Sequence, residues 1–179
     1  TGDSSGLQGA AAVSVPFRLD QCADRIGLGF SRVYQKHFMR EMLGYIRVKQ
    51  RQFQQDGRED ALKTLADLGS LEKMRTFWDF DGRVTAPLHG YLSAEDYYRR
   101  ASSRYFLGAI RTPTLIIQAA DDPFVFAHSL PQASELSDCI EFELQAKGGH
   151  VGFVDGSVKT PGYYLERRIP QWLLSQPGR

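Results

Sequence analysis

Two short stretches of this 179-residue sequence hold the residue types that proton-transfer chemistry needs. The first is Ala119-Ala120-Asp121-Asp122-Pro123-Phe124-Val125, with two adjacent carboxylates. The second is Gln145-Ala146-Lys147-Gly148-Gly149-His150-Val151-Gly152-Phe153, with an imidazole behind two glycines. A carboxylate beside a histidine fixes its tautomer and stabilises its protonated form, so the histidine can act as a general base. The glycine pair permits a tight turn and close approach of another backbone. Taken alone, Asp-Asp-Pro reads as a turn or helix cap, and Gly-Gly-His reads as a surface loop. Placed after consecutive strands, in acid-then-histidine order, the two read together as a site.

The strands must do the positioning. Thr112-Pro113 leads into Thr114-Leu115-Ile116-Ile117-Gln118, a continuous apolar run of the kind buried in parallel sheets. Ile140-Glu141-Phe142-Glu143-Leu144 alternates strictly, which predicts a half-buried strand near a sheet edge. Ala10 to Val15 predicts a further buried strand, stopped by Pro16. Ligands of open parallel sheets bind beyond the carboxyl ends of the strands, so both loops are expected on one edge. Phe126 to Leu136 is expected to be a short crossover helix. Tyr163 to Leu174 is expected to be an amphipathic helix with Leu165, Ile169, Trp172 and Leu173 inward, kinked or started at Pro170.

Residues 21–106 differ from both flanks. Helical spacing runs from Phe30 to Ile46 and again from Arg58 to Leu68, and Ser93 with Asp96 marks another helix start. The order is therefore strand, helical insertion, strand, helix, strand, helix. Right-handed crossovers make such strands parallel neighbours. About three strands beside a large helical block fit a part of an α/β sheet better than a whole domain.

Composition excludes several classes. With 22 basic and 21 acidic residues the net charge is +1, which argues against nucleic acid as the main partner. No apolar run approaches the roughly 20 residues that span a bilayer. Cys22 and Cys139 make no disulfide framework and no Cys-x-x-Cys, so a reducing, cytoplasmic setting is expected. His89 and His128 have no metal-ligand partners at recognisable spacing, so no metal is expected and structural roles fall to both, as to His37. Seven basic residues against Glu41 between Arg25 and Arg51 suit an anionic membrane surface, although a solvated helix face is the simpler reading.

Thr112 to Ile117, Asp121-Asp122-Pro123-Phe124, Gly148 to Phe153 and Ile169-Pro170-Gln171-Trp172-Leu173 together resemble the carboxyl-terminal half of an α/β-hydrolase. Gly29 to Gln35, His89-Gly90-Tyr91 and Asp96-Tyr97-Tyr98 make the resemblance closer to the YheT-type esterase branch. The resemblance implies a cofactor-free serine hydrolase of carboxylic esters, with Asp122 as triad acid, His150 as triad base and Asp121 as the reserve acid. It also implies that residues 1–20 carry a core strand, 21–106 a helical cap, and 107–179 the carboxyl-terminal core. The cap aromatics, Phe30, Tyr34, Phe38, Phe77, Trp78, Tyr97 and Tyr98, would chiefly pack cap and core together, with a minority lining an acyl pocket.

The family's Gly-x-Ser-x-Gly elbow is absent from the sequence. Gly29-Phe30-Ser31-Arg32-Val33 lacks the last glycine and lies in a helical segment, so Ser31 is not backed as a nucleophile. The chain opens Thr1-Gly2-Asp3 without an initiator methionine. The expectation is a carboxyl-terminal portion whose serine and oxyanion donors lie upstream of Thr1, inactive alone. The Ala10–Val15 edge would then pair with the remainder of the parent chain or with a second copy. The second reading is a non-catalytic α/β-hydrolase-like binding module. The third is an α/β enzyme in which Asp122 and His150 move protons without acylation.

Overall fold

A computed structural model describes residues 6–176, so the opening Thr1-Gly2-Asp3 lies outside the described residues. The chain divides into two compact units, one formed by residues 1–22 with 102–179 and the other by 23–101.

The first unit is built on a parallel sheet of order β1-β2-β3: β1 is Ala10–Val13, β2 Thr114–Ala119 and β3 Ile140–Gln145. Ala10 pairs with Thr114 and Val13 with Ile117, while Thr114 pairs with Ile140 and Ala119 with Gln145. Every residue of β2 is buried, as its unbroken apolar run requires in a central parallel strand. Successive side chains point to opposite faces, and two cores result. Leu115, Ile117 and Ala119 pack with Phe153 and Trp172 on one face. Ile116 packs with Phe17 and Leu107 on the other, joined by Ile140 and Phe142.

β3 alternates as its sequence predicts, but its polar face is not left to water. The last helix of the chain, Tyr164–Leu174, lies over it. Arg168 donates to Glu143 and Glu141, Trp172 Nε1 donates to Glu141 at 2.7 Å, and Tyr164 Oη donates to Glu143 at 2.7 Å. Burial of Glu143 opposes its ionised form, yet the hydrogen bonds from Arg168 and Tyr164 outweigh this and hold its carboxyl below the ordinary value. The folded state therefore binds this proton less readily than the unfolded one. The resulting stability is complete above the ordinary glutamate value of 4.5 and is lost as pH falls through the depressed folded value. The melting temperature should drop below about pH 4.5, and Arg168→Met should flatten that part of the curve, measurable by circular dichroism.

Three expectations of local structure are corrected. Phe126 to Leu136 is not a helix but two single 3-10 turns, Ala127–Ser129 and Ala133–Glu135. Pro131 lies between them and supplies no N–H for a helical ladder. The last helix does not start at Pro170, which sits inside it, and Leu173 is exposed while Trp172 is buried. The first strand stops at Val13 rather than Val15, because Ser14 turns into the left-handed region with φ +54°. A short antiparallel hairpin, β4 Val154–Gly156 with β5 Pro161–Tyr163, follows the histidine loop.

The second unit is helical. α1 spans Leu19–Ile26, and the division between the units falls inside it. α2 is Arg32–Gln55, α3 Glu59–Asp67, α4 Phe77–Phe80, α5 Ala86–Leu88 and α6 Ala94–Ala101, so the closing helix at 164–174 is α7. Leu43, Leu68, Met74 and Val84 form its core. Thr76 starts α4 through a capping box with Asp79, satisfying two otherwise unpaired amides. A π turn, Asp81–Thr85, continues α4, and Asp81 accepts hydrogen bonds from Thr85 and from the Tyr98 hydroxyl, each at 2.6 Å. Trp78 lies edge-on to Tyr98 and Phe38 edge-on to Phe77. Phe30 and Tyr34, in contrast, are exposed and lie edge-on to each other.

Candidate active site

Parallel pairing of β2 with β3 brings both strand ends to one edge of the sheet. The ladder runs one step further, with Ala120 N–H donating to the Gln145 carbonyl at 2.8 Å. Beyond it the two loops are stitched together by Asp121. Its Oδ1 accepts from the N–H groups of Gly148 and Gly149, both at 2.9 Å. Gly149 has φ +59°, a conformation that glycine adopts without a Cβ penalty. A Cβ on Gly148 would stand 2.7 Å from the Phe153 ring, so only glycine fits there. Asp121 thus shapes the histidine turn.

The neighbouring carboxylate takes the histidine. Asp122 Oδ2 lies 3.0 Å from His150 Nδ1. The same oxygen accepts from Gln118 Nε2 at 3.0 Å, and Oδ1 accepts from the Phe124 N–H at 2.9 Å. The Asp122 side chain is 1% exposed and that of His150 is 37% exposed. An ionised carboxylate only accepts, so the shared hydrogen must sit on Nδ1 of the neutral ring. Nε2 then carries the lone pair, as a general base requires.

Four residues support this pair; the sequence reading gave no role to Gln118 or Ser14 and named Phe124 and Phe153 only as parts of its motifs. Gln118 is fully buried at the end of β2 and places its amide under Asp122. Its signal was present: a lone amide in an otherwise apolar central strand must find a partner. Ser14, buried at the end of β1 in its left-handed conformation, donates its hydroxyl to the His150 carbonyl. The Phe124 ring flanks the imidazole with centroids 4.7 Å apart. Phe153 is 3% exposed with φ +43°. Its N–H reaches the Gly148 carbonyl at 3.0 Å and closes the loop against the core.

Other nucleophile candidates in the chain are poorly equipped. Burial, reinforced by the negative charge of Asp122, pushes the Cys22 thiol up to about 11. It stays protonated near neutrality and is a weak nucleophile. Ser31 belongs to the helical unit, is buried, and accepts from Arg25 Nη1 at 3.2 Å. His37 lies 3.0 Å from Arg40, and His128 stacks on Phe126. No group of three or more metal-ligating side chains is gathered among the described residues.

A family model described as alpha/beta hydrolase fold matches residues 29–157. Over 97% of its length the chain is 38% identical to the Escherichia coli (strain K12) protein "Putative esterase YheT". It is 32% identical over 60% of its length to mouse "Phospholipase ABHD3", and 36% identical over 53% to human "Monoacylglycerol lipase ABHD2". The chain covers 49% of the first relative, 26% of the second and 23% of the third, so it spans half or less of the curated relatives it matches. No solved structure gives a significant match.

Proposed function

Because this chain belongs to the alpha/beta hydrolase fold family, we propose that it carries the acid and the general base of a carboxylic ester hydrolase. Asp122 is the acid and His150 the base. The observation that carries this reading is the 3.0 Å contact between Asp122 Oδ2 and His150 Nδ1 at adjoining parallel strand ends. The relatives' names, esterase, phospholipase and monoacylglycerol lipase, are names of hydrolases, and a monoacylglycerol lipase cleaves a carboxylic ester.

In this mechanism His150 Nε2 takes the proton of a serine hydroxyl as the serine oxygen attacks the ester carbonyl. The imidazolium that forms is held by Asp122 and gives its proton to the departing alcohol. A water molecule then attacks the acyl-enzyme, His150 accepts its proton, and the bond from the acyl carbon to the serine oxygen breaks as His150 returns that proton to the serine. We assign the serine and the oxyanion donors to a segment outside residues 1–179 of a parent protein. This assignment is supported by the lack of a Gly-x-Ser-x-Gly string and by the burial of Ser31 in the helical unit. We assign residues 23–101 the role of the family's helical cap, slightly shorter than the 21–106 read from sequence.

A fluorophosphonate probe with peptide mapping tests the assignment. In the parent protein the probe should label one serine outside residues 1–179, and the chain alone should hydrolyse p-nitrophenyl butyrate no faster than an inert protein. Turnover by the chain alone with Ser31 labelled, or a parent protein without any labelled serine, would overturn the reading.

A further inference from the structure

We propose that the outward face of α2 docks on an anionic phospholipid bilayer. α2 is 24 residues long, about 36 Å at 1.5 Å per residue. Its inward face is settled by Gln35, Met39 and Leu43, which are buried. The opposite face is organised in rows at helical spacing. Lys36, Arg40, Arg47 and Arg51 make one row, with separations of four, seven and four residues. Val33 and Val48 fall in the adjacent row, and Tyr34 and Tyr45 in the next.

The apolar members are open to solvent: Val33 is 58% exposed, Val48 50%, Tyr34 40% and Tyr45 69%. Phe30, just ahead of the helix, is 77% exposed. Charge is concentrated here as well. α2 holds six cations and a single anion, Glu41, whereas the whole chain has a net charge of +1. Among the described residues only Arg40 of the six makes an ion pair, with its neighbour Glu41. At the amino-terminal end a shallow groove is lined by Val33, Tyr34, Lys36, His37 and Arg40. There cationic side chains border an apolar floor.

A cationic row beside an exposed aromatic and aliphatic strip is the arrangement of a helix lying in a membrane interface. The cations meet anionic headgroups within a Debye length, and the rings settle at the headgroup–acyl boundary. Among the described residues no helix is long and apolar enough to cross a membrane, so the contact is one of surface and not of span. Val33 and Val48 favour this occupant over nucleic acid, which would use the cations and leave the valines in water. The proposal stands apart from the hydrolase reading, since it uses only residues of the helical unit.

Sedimentation with vesicles tests it. The chain should bind vesicles of 30% phosphatidylserine in phosphatidylcholine at 0.1 M salt and should not bind phosphatidylcholine alone. Binding should weaken about tenfold or more in the double variant Arg40→Glu, Arg47→Glu. It should also weaken in Tyr45→Ser, Val48→Ser, with helical content unchanged by circular dichroism in both. Equal binding to both vesicles, no binding to either, or binding untouched by charge reversal would overturn the proposal. Capture of a short DNA duplex by α2 cations without vesicle binding would overturn it in favour of nucleic acid.

Discussion

In the parent protein, Asp122→Asn should lower kcat/KM for a p-nitrophenyl ester by about 10³- to 10⁴-fold, and His150→Ala by at least as much. The asparagine keeps the size of the side chain, but its single oxygen can accept from the Phe124 N–H or from the Gln118 amide and not from both. What it loses is the full negative charge facing Nδ1. An amide turned the wrong way would offer a donor and select the tautomer that places hydrogen on Nε2, where the lone pair is needed. Asp121→Asn should have a much smaller effect, since its Oδ1 accepts from two backbone amides and does not touch the imidazole. A loss at Asp121 equal to that at Asp122 would move the acid by one residue and refute the assignment.

The second large effect is one of stability. Phe153→Ala should cost about 3–5 kcal/mol in urea unfolding of the chain, the usual range for a buried phenylalanine. Phe153 is part of the core formed by Leu115, Ile117, Ala119 and Trp172. It also ends the histidine loop, because its N–H bonds the Gly148 carbonyl and its own carbonyl accepts from Tyr164 N–H at 3.1 Å. The truncation therefore opens a cavity and frees the turn that seats His150. Phe153→Leu retains most of the buried volume and should cost distinctly less. A difference below about 1 kcal/mol for the alanine variant would mean that the loop is held by other contacts.

The elements that position the site were legible because their patterns obey simple geometry. The run Thr114 to Gln118 had no polar face to offer solvent, and it is the central strand. The alternation of Ile140 to Leu144 demanded two unlike surroundings, and β3 has a core on one side and the arginine and tryptophan of α7 on the other. Parallel order then placed Asp121, Asp122 and His150 on one edge, and the Asp-Asp-Pro and Gly-Gly-His strings marked the residues.

What escaped the sequence reading depends on contacts between distant segments. Gln118 looked like the polar end of a strand until the fold set its amide beneath a carboxylate four residues later. Ser14 gave no sign that it would turn to φ +54° and reach a carbonyl 136 residues away. The segment 126–136 was read as a helix, but its two short turns bury Ser129 and pack Leu130 and Leu136, half-buried, against the core of the sheet without one. Phe30 and Tyr34 were placed among the cap aromatics, and their exposure, one in the turn before α2 and one on the helix, emerges only from the fold.

The central claim is that Asp122 holds His150 as the Nδ1–H tautomer with Nε2 left as the base. Long-range ¹⁵N–¹H correlation spectra of the imidazole in the folded chain measure this directly. The account predicts a protonated Nδ1 and an unprotonated Nε2 in the neutral ring, with the Nδ1 proton shifted far downfield and this pattern lost in Asp122→Asn. A neutral His150 with its hydrogen on Nε2, or a pattern unchanged by Asp122→Asn, would contradict it.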